Sequence, residues 1–322
     1  MFDVVCVGNA LVDITLEVPD SFLLGANLKK GTMSLVDDVS QKFLLSSISG
    51  IASNLSPGGS SSNVARGISC LGGKSCFIGK VGVDANGSFF ENALNDSGVV
   101  AKLARSVDLI TGSAITFVTS EGERTFSTYL GAASSLSKAD LAEVPKAKFV
   151  HVEAYLLEDP VIREHVLDFV MRAKSSGSLV SLDLSDPLLV QRIKPVLSDF
   201  LSEVDVVFAN ESEAKEFCGE DVFGAARILS NFCEIAVVKL GKEGSLIVSD
   251  NIQERVTPEV VKPVNSNGAG DAYAAGFLFG LSLNLDLKKC GELGSFLARE
   301  TVLVEGSAVS SDLKEKALKY LD

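Results

Sequence analysis

Residues 179–217 read LVSLDLSDPLLVQRIKPVLSDFLSEVDVVFANESEAKEF, and this stretch decides the fold class. Short apolar runs at Leu179–Leu184 and Val204–Ala209 have the length and composition of buried strands. The segments around Leu188–Leu201 and near Glu211–Phe217 mix polar and apolar residues as surface helices do. Buried strands that alternate with helices predict a parallel sheet covered by helices on both faces, with right-handed crossovers.

The same alternation continues in both directions from this stretch. Further strands are predicted at Phe2–Val7, Ser75–Ile78, Phe149–Val152 and Ile235–Leu240. Further helices are predicted at Asn63–Leu71, around Val161–Lys174, near Phe223–Phe232, and at Ala269–Ser282, Leu287–Val304 and Ser311–Leu321. No internal repeat or long linker interrupts the pattern, so residues 1–322 are predicted to form a single α/β domain.

Two regions depart from this alternation. Thr15–Leu35 and Ala114–Tyr129 alternate polar and apolar residues, and Glu121-Gly122-Glu123 supplies a turn within the second region. This pattern is typical of antiparallel hairpins that expose one face to water. We interpret roughly residues 14–36 and 112–130 as a small β-sheet lid inserted in the α/β core. Two ordinary surface hairpins are the alternative interpretation.

Composition and charge argue against several classes of protein. Hydrophobic residues make up 46% of the chain and the mean hydropathy is +0.29, which provides for a large core. A net charge of −13, without any Lys/Arg cluster longer than two residues, argues against nucleic-acid binding. The most apolar stretch, Ala272–Leu283, is interrupted by Gly276 and Gly280 and is too short to cross a bilayer. We therefore expect neither a nucleic-acid nor a membrane partner.

The first residues and the cysteines favour a cytoplasmic location. Residues 1–13 have no basic region before their apolar run, so a signal peptide is not expected. The six cysteines form no C-x-x-C pair and lie mostly in apolar surroundings, as free thiols do in a reducing compartment. His151 and His165 are the only histidines, and we interpret both as structural or surface residues, which argues against zinc chemistry.

The segment Asn265-Ser-Asn-Gly-Ala-Gly-Asp271 is the first motif that could carry chemistry. A loop of small residues runs directly into an apolar helix. The first amide groups of a helix carry partial positive charge, so phosphate oxygens could approach them at Gly268, Ala269 and Gly270. Asp271 would then lie beside the phosphate, where it could accept a proton from an attacking hydroxyl. Taken alone, the motif fits a capped glycine turn equally well.

Two further segments offer groups for a polyhydroxy ligand. Pro57–Ala65 is another small-residue loop before a helix, and it presents the side chains of Ser60 and Asn63; a flexible linker with a helix cap is the alternative. Gly8–Asp13 follows the first strand, at the edge where open α/β sheets bind ligands. Asp13 could accept hydrogen bonds from a pair of sugar hydroxyls or lie in a solvated turn.

A fourth pair of polar residues follows the strand Val204–Ala209. Asn210 and Glu213 would lie at the carboxyl end of that strand, where they could orient magnesium-bound water. The same spacing fits a partial capping box, in which Asn210 caps the helix that contains Glu213. The two interpretations are compatible.

Together these segments resemble the ribokinase (pfkB-type) family of carbohydrate and nucleoside kinases. Residues 58–65, GGSSSNVA, resemble the family's first signature, and residues 265–271 resemble the second. Matching segments run in the family's order over residues 8–306, nearly the whole chain. The resemblance implies a ribokinase-like three-layer α/β fold, in which helices cover a central, mostly parallel sheet and a small β-sheet lid lies over the substrate.

The resemblance also implies roles for individual residues. Asp271 would be the general base, and the amides that stabilise the transferred phosphoryl group would belong to Gly268, Ala269 and Gly270. The substrate would be held by Asn9, Asp13, Gly58, Gly59, Ser60, Asn63 and Glu153. ATP would be bound by Asn210, Lys239, Gly241, Gly244 and Asn267, with its adenine between the loop before Asn265 and the helices near Ser295–Val302. Magnesium would be linked to Asn210 and Glu213.

The implied activity is ATP-dependent phosphorylation of an alcohol group on a small molecule. The stretches Gly8–Ile14 and Gly122–Ala132 are most similar to adenosine kinases within the family, so we expect the 5′-hydroxyl of a ribonucleoside, adenosine above all, as in purine salvage. Phe117, Phe126 and Tyr155 are candidates for the wall of a base pocket. A sugar kinase for ribose, fructose or 2-keto-3-deoxygluconate is the alternative within the family. A non-catalytic nucleoside-binding protein is the alternative from another class.

One position departs from the family pattern. The second signature usually begins with Asp-Thr, and here it begins with Asn265-Ser266. The aspartate helps to place a monovalent cation beside the anion site. Asparagine keeps an oxygen ligand but loses the charge, which argues against K⁺ activation. Both a monomer and a homodimer are compatible with the resemblance, because lids in this family either cover their own site or pair between subunits.

Overall fold

A nine-stranded sheet forms the centre of the computed structural model, which describes residues 1–121, 123–250, 252–304 and 313–321. Its strands are β1 (Phe2–Val7), β5 (Ser75–Gly82), β6 (Val100–Ser106), β9 (Ala147–Glu153), β10 (Leu179–Asp183), β11 (Val206–Asn210), β12 (Ile235–Lys239), β13 (Ser245–Ser249) and β14 (Ile252–Val256). They lie in the order β14-β13-β12-β11-β10-β9-β1-β5-β6. All pairs from β6 to β12 are parallel, and β13 and β14 add two antiparallel pairs. The predicted, mostly parallel sheet is confirmed.

Helices cover both faces of this sheet. They are α3 (Ser60–Cys70), α4 (Ala85–Asp96), α5 (Pro160–Ser175), α6 (Pro187–Phe200), α7 (Glu211–Cys218), α8 (Val222–Leu229), α9 (Ala269–Ser282), α10 (Leu287–Val302) and α11 (Leu313–Ala317). Alternate residues of β1 show the two cores, since Val5 packs with α5–α8 whereas Val4 packs with α3, α9 and α10. Burial on both faces explains why the strands are continuous apolar runs.

A second, five-stranded sheet, called the small sheet below, lies beside the main one. Its strands are β2 (Leu11–Glu17), β3 (Met33–Leu35), β4 (Asn54–Gly58), β7 (Thr111–Val118) and β8 (Arg124–Gly131), in the order β3-β8-β7-β2-β4. The short helices α1 (Asp20–Gly25) and α2 (Asp38–Ser47) cover its outer face, where Leu23, Leu44 and Phe117 are buried in one apolar cluster. Movement of the small sheet as a lid stays a prediction.

The two predicted hairpins had different outcomes. Ala114–Tyr129 does form an antiparallel hairpin, because β7 pairs with β8. The hairpin predicted at Thr15–Leu35 is wrong, since α1 interrupts it and its two strands do not pair. β2 pairs instead with β4 and with β7, and β3 pairs with β8. Local alternation identified strands there but could not identify their distant partners.

Other departures concern the bounds of elements. α3 begins at Ser60 rather than Asn63, and α10 ends at Val302 rather than Val304. The final helix, predicted from Ser311, is described only from Leu313, because Ser311 lies outside the described residues. Five features were not predicted from the sequence: α2, α4, β4, β6 and the β13–β14 hairpin. Among the described residues, no helix is both long and apolar enough to span a membrane.

Candidate active site

The N-terminus of α9 forms the centre of the candidate site. Gly268 has a φ of +75°, in the left-handed region where a side chain is costly. This turn leads the loop into α9, whose first amide groups, at Ala269 and Gly270, have no acceptor within the helix. Free amides at a helix N-terminus, together with the helix dipole, have the charge and direction that an anion would need. The small-residue loop and the helix therefore have the arrangement that the motif predicted.

Asp271 lies in the first turn of α9 and is held by α3. Ser60 Oγ donates to its Oδ1 at 2.7 Å, and Asn63 Nδ2 donates to its Oδ2 at 2.9 Å. Burial, together with the nearby carboxylate of Asp183, raises the pKa of Asp271 to about 6, although the two hydrogen bonds and Lys239 oppose that rise. A fixed carboxylate with a pKa near neutrality is suited to accept a proton from a hydroxyl.

Two glycines allow β1, β2 and α3 to meet at this point. Gly59 has a φ of +90°, and a Cβ there would overlap the backbone carbonyl of Asn9. A Cβ on Gly58 would overlap the carboxylate of Asp13. Larger residues at either position would push Asp13 and the end of β1 away from Ser60, so the glycines set the spacing of the site.

Asp13 projects from the inner face of the small sheet toward α3. Burial, and then the negative charge of Asp271, raise the pKa of Asp13 to about 7, while Arg66 acts in the opposite direction. Arg66 is 8% exposed and lies on α3 beside Asp13. The amide oxygen of Asn63 is also buried there and has no partner among the described residues. A hydroxyl-bearing ligand would satisfy that acceptor.

Asn9 and Glu153 lie behind this surface rather than on it. They are 5% and 1% exposed, and Glu153 accepts bonds from Asn9 N at 2.9 Å, Asn9 Nδ2 at 2.8 Å and Ser61 N at 2.8 Å. Neither residue lines the cavities described below. These bonds tie the end of β1 and the end of β9 to the first turn of α3, so a supporting position describes them better than the predicted substrate contact.

Three cavities meet at the start of α9. The small-sheet cavity, about 490 Å³, lies between the inner face of the small sheet and α3 and is lined among others by Asp13, Thr15, Ser56, Asn63, Arg66, Thr116, Phe126 and Tyr155. The central cavity, about 480 Å³, is lined among others by Ser60, Asp183, Asn210, Glu213, Lys239, Gly268, Gly270 and Asp271. The α10 cavity, about 280 Å³, is lined among others by Gly241, Gly244, Val260, Pro263, Ser295, Ala298 and Val302.

The α10 cavity coincides with the region predicted for adenine. Its walls include Pro263, before Asn265, and Ser295–Val302 of α10, which the sequence interpretation named. Gly244 closes it with a φ of +92°, in a conformation that favours glycine. The predicted ATP residues therefore do not all line one cavity. Gly244 lines the α10 cavity, Asn210 lines the central cavity, and Gly241 and Lys239 line both, whereas Asn267 lines the small-sheet cavity.

The aromatic candidates for a base pocket also separate. Phe126 and Tyr155 line the small-sheet cavity, and Tyr155 is 37% exposed. Phe117 does not, because it is fully buried on the outer face of the small sheet, where it packs against Phe22 at a ring distance of 5.4 Å. The two-residue period of a strand decides this outcome, since Thr116 and Phe117 must face opposite sides.

Asn210 and Glu213 form the capping box that the sequence allowed. Asn210 N donates to Glu213 Oε2 at 2.7 Å, and Glu213 N donates to Asn210 Oδ1 at 2.9 Å. Burial and the charge of Asp183 raise the pKa of Glu213 to about 7. No group of three metal-ligating side chains occurs in the described part of the chain. The donor set suits an outer-sphere position near Mg²⁺, which usually keeps several waters and binds substrate phosphates.

Asp183 and Arg124 belong to the site, and the sequence interpretation gave neither a role. Asp183 ends β10 and pairs with Lys239, Oδ2 to Nζ, at 2.6 Å. Arg124 begins β8, and its Nη1 donates to Asn265 Oδ1 at 2.8 Å and to Asn267 Oδ1 at 3.3 Å. A carboxylate at the carboxyl end of a predicted strand was the available signal for Asp183. No local signal joins Arg124 to a loop 141 residues away.

The sequence matches the pfkB family of carbohydrate kinases over residues 1–314, and the chain therefore belongs to that family. Members of the family are phosphotransferases that act on an alcohol group, and the fold and site described above fit that class. The ribokinase-like architecture predicted from the sequence is confirmed.

Relatives with known structures or names extend this comparison. The crystal structure of an adenosine kinase from Sinorhizobium meliloti is 33% identical, covers 99% of each chain and has a TM-score of 0.88. A probable sugar kinase from Rhizobium etli CFN 42 is 32% identical, covers 99% of this chain and 98% of its own, and has a TM-score of 0.90. A fructokinase of Vibrio alginolyticus is 30% identical over 241 residues, which are 72% of this chain and 78% of the relative. Both nucleoside and sugar kinases are thus similar to this chain.

Proposed function

We propose that this kinase transfers the γ-phosphoryl group of ATP to the 5′-hydroxyl of a ribonucleoside, adenosine above all, with Asp271 as the general base. The arrangement of Asp271 supports this proposal most directly. Its carboxylate lines the central cavity with Gly268 and Gly270 and is held by Ser60 and by Asn63, and Asn63 also lines the small-sheet cavity. The acceptor hydroxyl and the γ-phosphate of ATP could therefore both lie next to the Asp271 carboxylate.

The proposed step conserves atoms and charge. The 5′-oxygen of the acceptor bonds to the γ-phosphorus as the bond from that phosphorus to the β,γ-bridging oxygen breaks, and ADP leaves with the electron pair. The hydroxyl proton passes to Asp271. The amides of Gly268, Ala269 and Gly270 stabilise negative charge on the transferred group, and their fixed position means that little reorganisation is needed.

The donor would lie along the α10 and central cavities. Adenine would occupy the apolar α10 cavity beside Ala298 and Val302, and the phosphates would point toward Gly270. Asn210 and Glu213 would orient water bound to Mg²⁺, and the bound ion would neutralise charge on the phosphates. Movement of the small sheet over the bound acceptor, which would exclude water, is part of the same proposal.

The size and walls of the small-sheet cavity favour a nucleoside as acceptor. Its volume of about 490 Å³ exceeds the space that a single pentose or hexose needs, and Phe126 and Tyr155 offer aromatic faces for a base. The likeness to the adenosine kinase of Sinorhizobium meliloti over 99% of both chains supports the same choice. The sugar kinase relatives keep ribose, fructose and 2-keto-3-deoxygluconate as the second candidates.

Replacement of the base tests the proposal. We expect Asp271→Asn to lower kcat by roughly 10²–10⁴-fold while ATP still binds, because only proton transfer is removed. Asp286→Asn is the matched control, since Asp286 is the N-cap of α10, where asparagine serves equally well. Near-normal turnover in Asp271→Asn would refute the assignment.

An ADP-release assay across adenosine, other nucleosides, ribose, fructose and 2-keto-3-deoxygluconate tests the acceptor. The proposal expects the highest kcat/KM with adenosine. A higher kcat/KM with a free sugar would show that the sugar, and not the nucleoside, is the substrate. Tight adenosine binding without ADP release from any acceptor would indicate a binding protein instead of a kinase.

A further inference from the structure

The central cavity contains one buried ion pair that the proposed reaction has not used. Lys239 at the end of β12 and Asp183 at the end of β10 are joined at 2.6 Å, and their side chains are 12% and 4% exposed. The second carboxylate oxygen of Asp183 accepts a bond from Ser185 N at 2.9 Å. Both oxygens of Asp183 are therefore engaged, one by the backbone and one by the ammonium.

The ammonium of Lys239 lies directly beside the anion site. Its Nζ is 3.2 Å from the point that a Cβ on Gly270 would occupy. Glycine at position 270 thus leaves room for the lysine as well as for a phosphate. Among the described residues that line the central cavity, Lys239 is the only cation, whereas Asp183, Glu213 and Asp271 are carboxylic acids. A polyanion entering this cavity needs a positive charge at that point.

Stability alone does not account for the pair. A buried ion pair gains little or nothing over apolar residues of similar size, because both charges lose their hydration. Asp183 and Lys239 also lie two strands apart, across β11, and the sheet is already joined by backbone hydrogen bonds through β11. A function at the cavity explains why charge is kept in this position.

We propose that Lys239 is a catalytic residue that donates hydrogen bonds to the transferred phosphoryl group, and that Asp183 is the positioning residue that holds its ammonium against Gly270. This inference rests on the proposed phosphoryl transfer. It adds a cation that neutralises negative charge on the phosphoryl group during the transfer. Lysine suits the task, since its point charge has three donors: one can stay on Asp183 while the others reach the phosphoryl oxygens.

The two residues of the pair should also shift the pKa of the general base Asp271, each in the opposite direction to the other. The charged groups that face Asp271 are Asp183 from β10, Lys239 from β12 and Asp13 from β2, while Ser60 and Asn63 of α3 are neutral donors. Loss of the lysine charge would make Asp271 harder to ionise. Loss of the Asp183 charge would make it easier to ionise.

Two single substitutions test the inference. We expect Lys239→Met to lower kcat by about 10²–10³-fold, the usual loss when one stabilising donor is removed. The acidic limb of the pH profile of kcat/KM should move to higher pH in this variant. Asp183→Asn should lower kcat by a smaller factor, because the lysine remains but is less well held, and should move the acidic limb to lower pH.

Lys80→Met is the matched control. Lys80 pairs with Asp140 at 2.9 Å in a similarly buried position on β5, with side chains 14% and 17% exposed, but it lies outside the three cavities. Any loss of stability should resemble that of Lys239→Met, whereas the pH limb should not move. If Lys239→Met and Lys80→Met have the same kcat and the same acidic limb in the pH profile of kcat/KM, the Lys239–Asp183 pair is only structural.

A double variant covers the case in which Lys239→Met leaves Asp183 unpaired and the protein unfolds. Asp183→Asn/Lys239→Met removes both charges, and we expect this variant to fold. Its kcat should be as low as the kcat expected for Lys239→Met. Wild-type turnover in the double variant would overturn the inference. A raised Mg²⁺ requirement in Asp183→Asn with an unmoved pH limb would also overturn it, by assigning Asp183 to the metal. An inactive wild-type protein with every acceptor would instead refute the proposed function.

Discussion

Substitution of Gly276 by alanine sets two known effects against each other. Gly276 lies inside α9, where alanine would stabilise the helix by roughly 0.5–1 kcal/mol relative to glycine. A Cβ at this position would, however, lie 2.6 Å from the backbone oxygen of Leu293 and 2.8 Å from Cα of Gly294. Both atoms belong to the backbone of α10, so no side chain can rotate away. The helices would have to separate.

The structure gives the size of that separation. Ordinary contact begins at 3.4 Å, and 3.4 minus 2.6 leaves about 0.8 Å to be recovered between α9 and α10. Overpacking of this kind costs typically 1–3 kcal/mol, and a backbone collision belongs at the upper end of that range. The cost of the collision therefore exceeds the gain in helix propensity, and we expect the free energy of unfolding to fall by about 2 kcal/mol. Asp271 lies in the first turn of the same helix, and a displacement near 1 Å at a reacting group can cost about 10²-fold in rate.

Urea denaturation and initial rates of ADP release measure the two consequences. Gly280→Ala is the matched control on the same helix, because the nearest atoms to its new Cβ are Sγ and Cα of Cys290 at 3.0 and 3.1 Å, both farther than the 2.6 Å contact at position 276. Its smaller collision should roughly cancel the gain in helix propensity, so its stability and kcat should stay near those of the wild type. If Gly276→Ala is as stable and as active as Gly280→Ala, the close approach of α9 and α10 does not position the site.

Three further predictions address other residues. Glu153→Gln should lower the free energy of unfolding by about 1–3 kcal/mol in urea titrations, because an amide cannot accept all three bonds from Asn9 and Ser61. Burial lowers the pKa of His151 from 6.5 to about 4, so only the unfolded state takes up this proton as the pH falls. Between pH 6.5 and 5, the wild type should lose about 1.5 kcal/mol more than His151→Leu, and equal losses in both would show that His151 takes up its proton in the folded state as readily as in the unfolded state. Tyr155→Ala should raise KM for adenosine about tenfold, from a stacking loss of roughly 1–3 kcal/mol, and should leave KM for a free sugar unchanged.

The sequence was sufficient for the features that depend on local pattern. Strands β9 to β12 are apolar runs between helices, and their positions followed from composition alone. The loop before Asp271 was recognisable for the same reason, since a glycine turn and a helix start are consecutive in the chain. Position 183 was within reach of the same reasoning, because a carboxylate lies next to the end of a predicted strand there. It was missed because a single acidic residue at a strand end is common.

What the sequence could not supply was pairing between distant segments. The strand β2 has the alternation of a hairpin strand, but its partners β4 and β7 lie far along the chain, and nothing near Thr15 identifies them. The same limit applies to Arg124 and Asn265, whose contact requires the small sheet to be placed over the loop first. Buried positions such as Glu153 were assigned to the substrate because burial behind a surface cannot be read from residue type.

The choice of acceptor depends on such pairing between distant segments. Asp13, Thr116 and Phe126 face the small-sheet cavity from three different strands. Thr116 is paired with Phe126 across β7 and β8, so the two share a face, whereas a shift of one residue would turn Phe126 outward. The loop ending at Asp271 can therefore stay constant while the acceptor changes, because register in the small sheet decides which side chains meet it. A change of substrate should require substitutions on that inner face and none between Gly268 and Asp271.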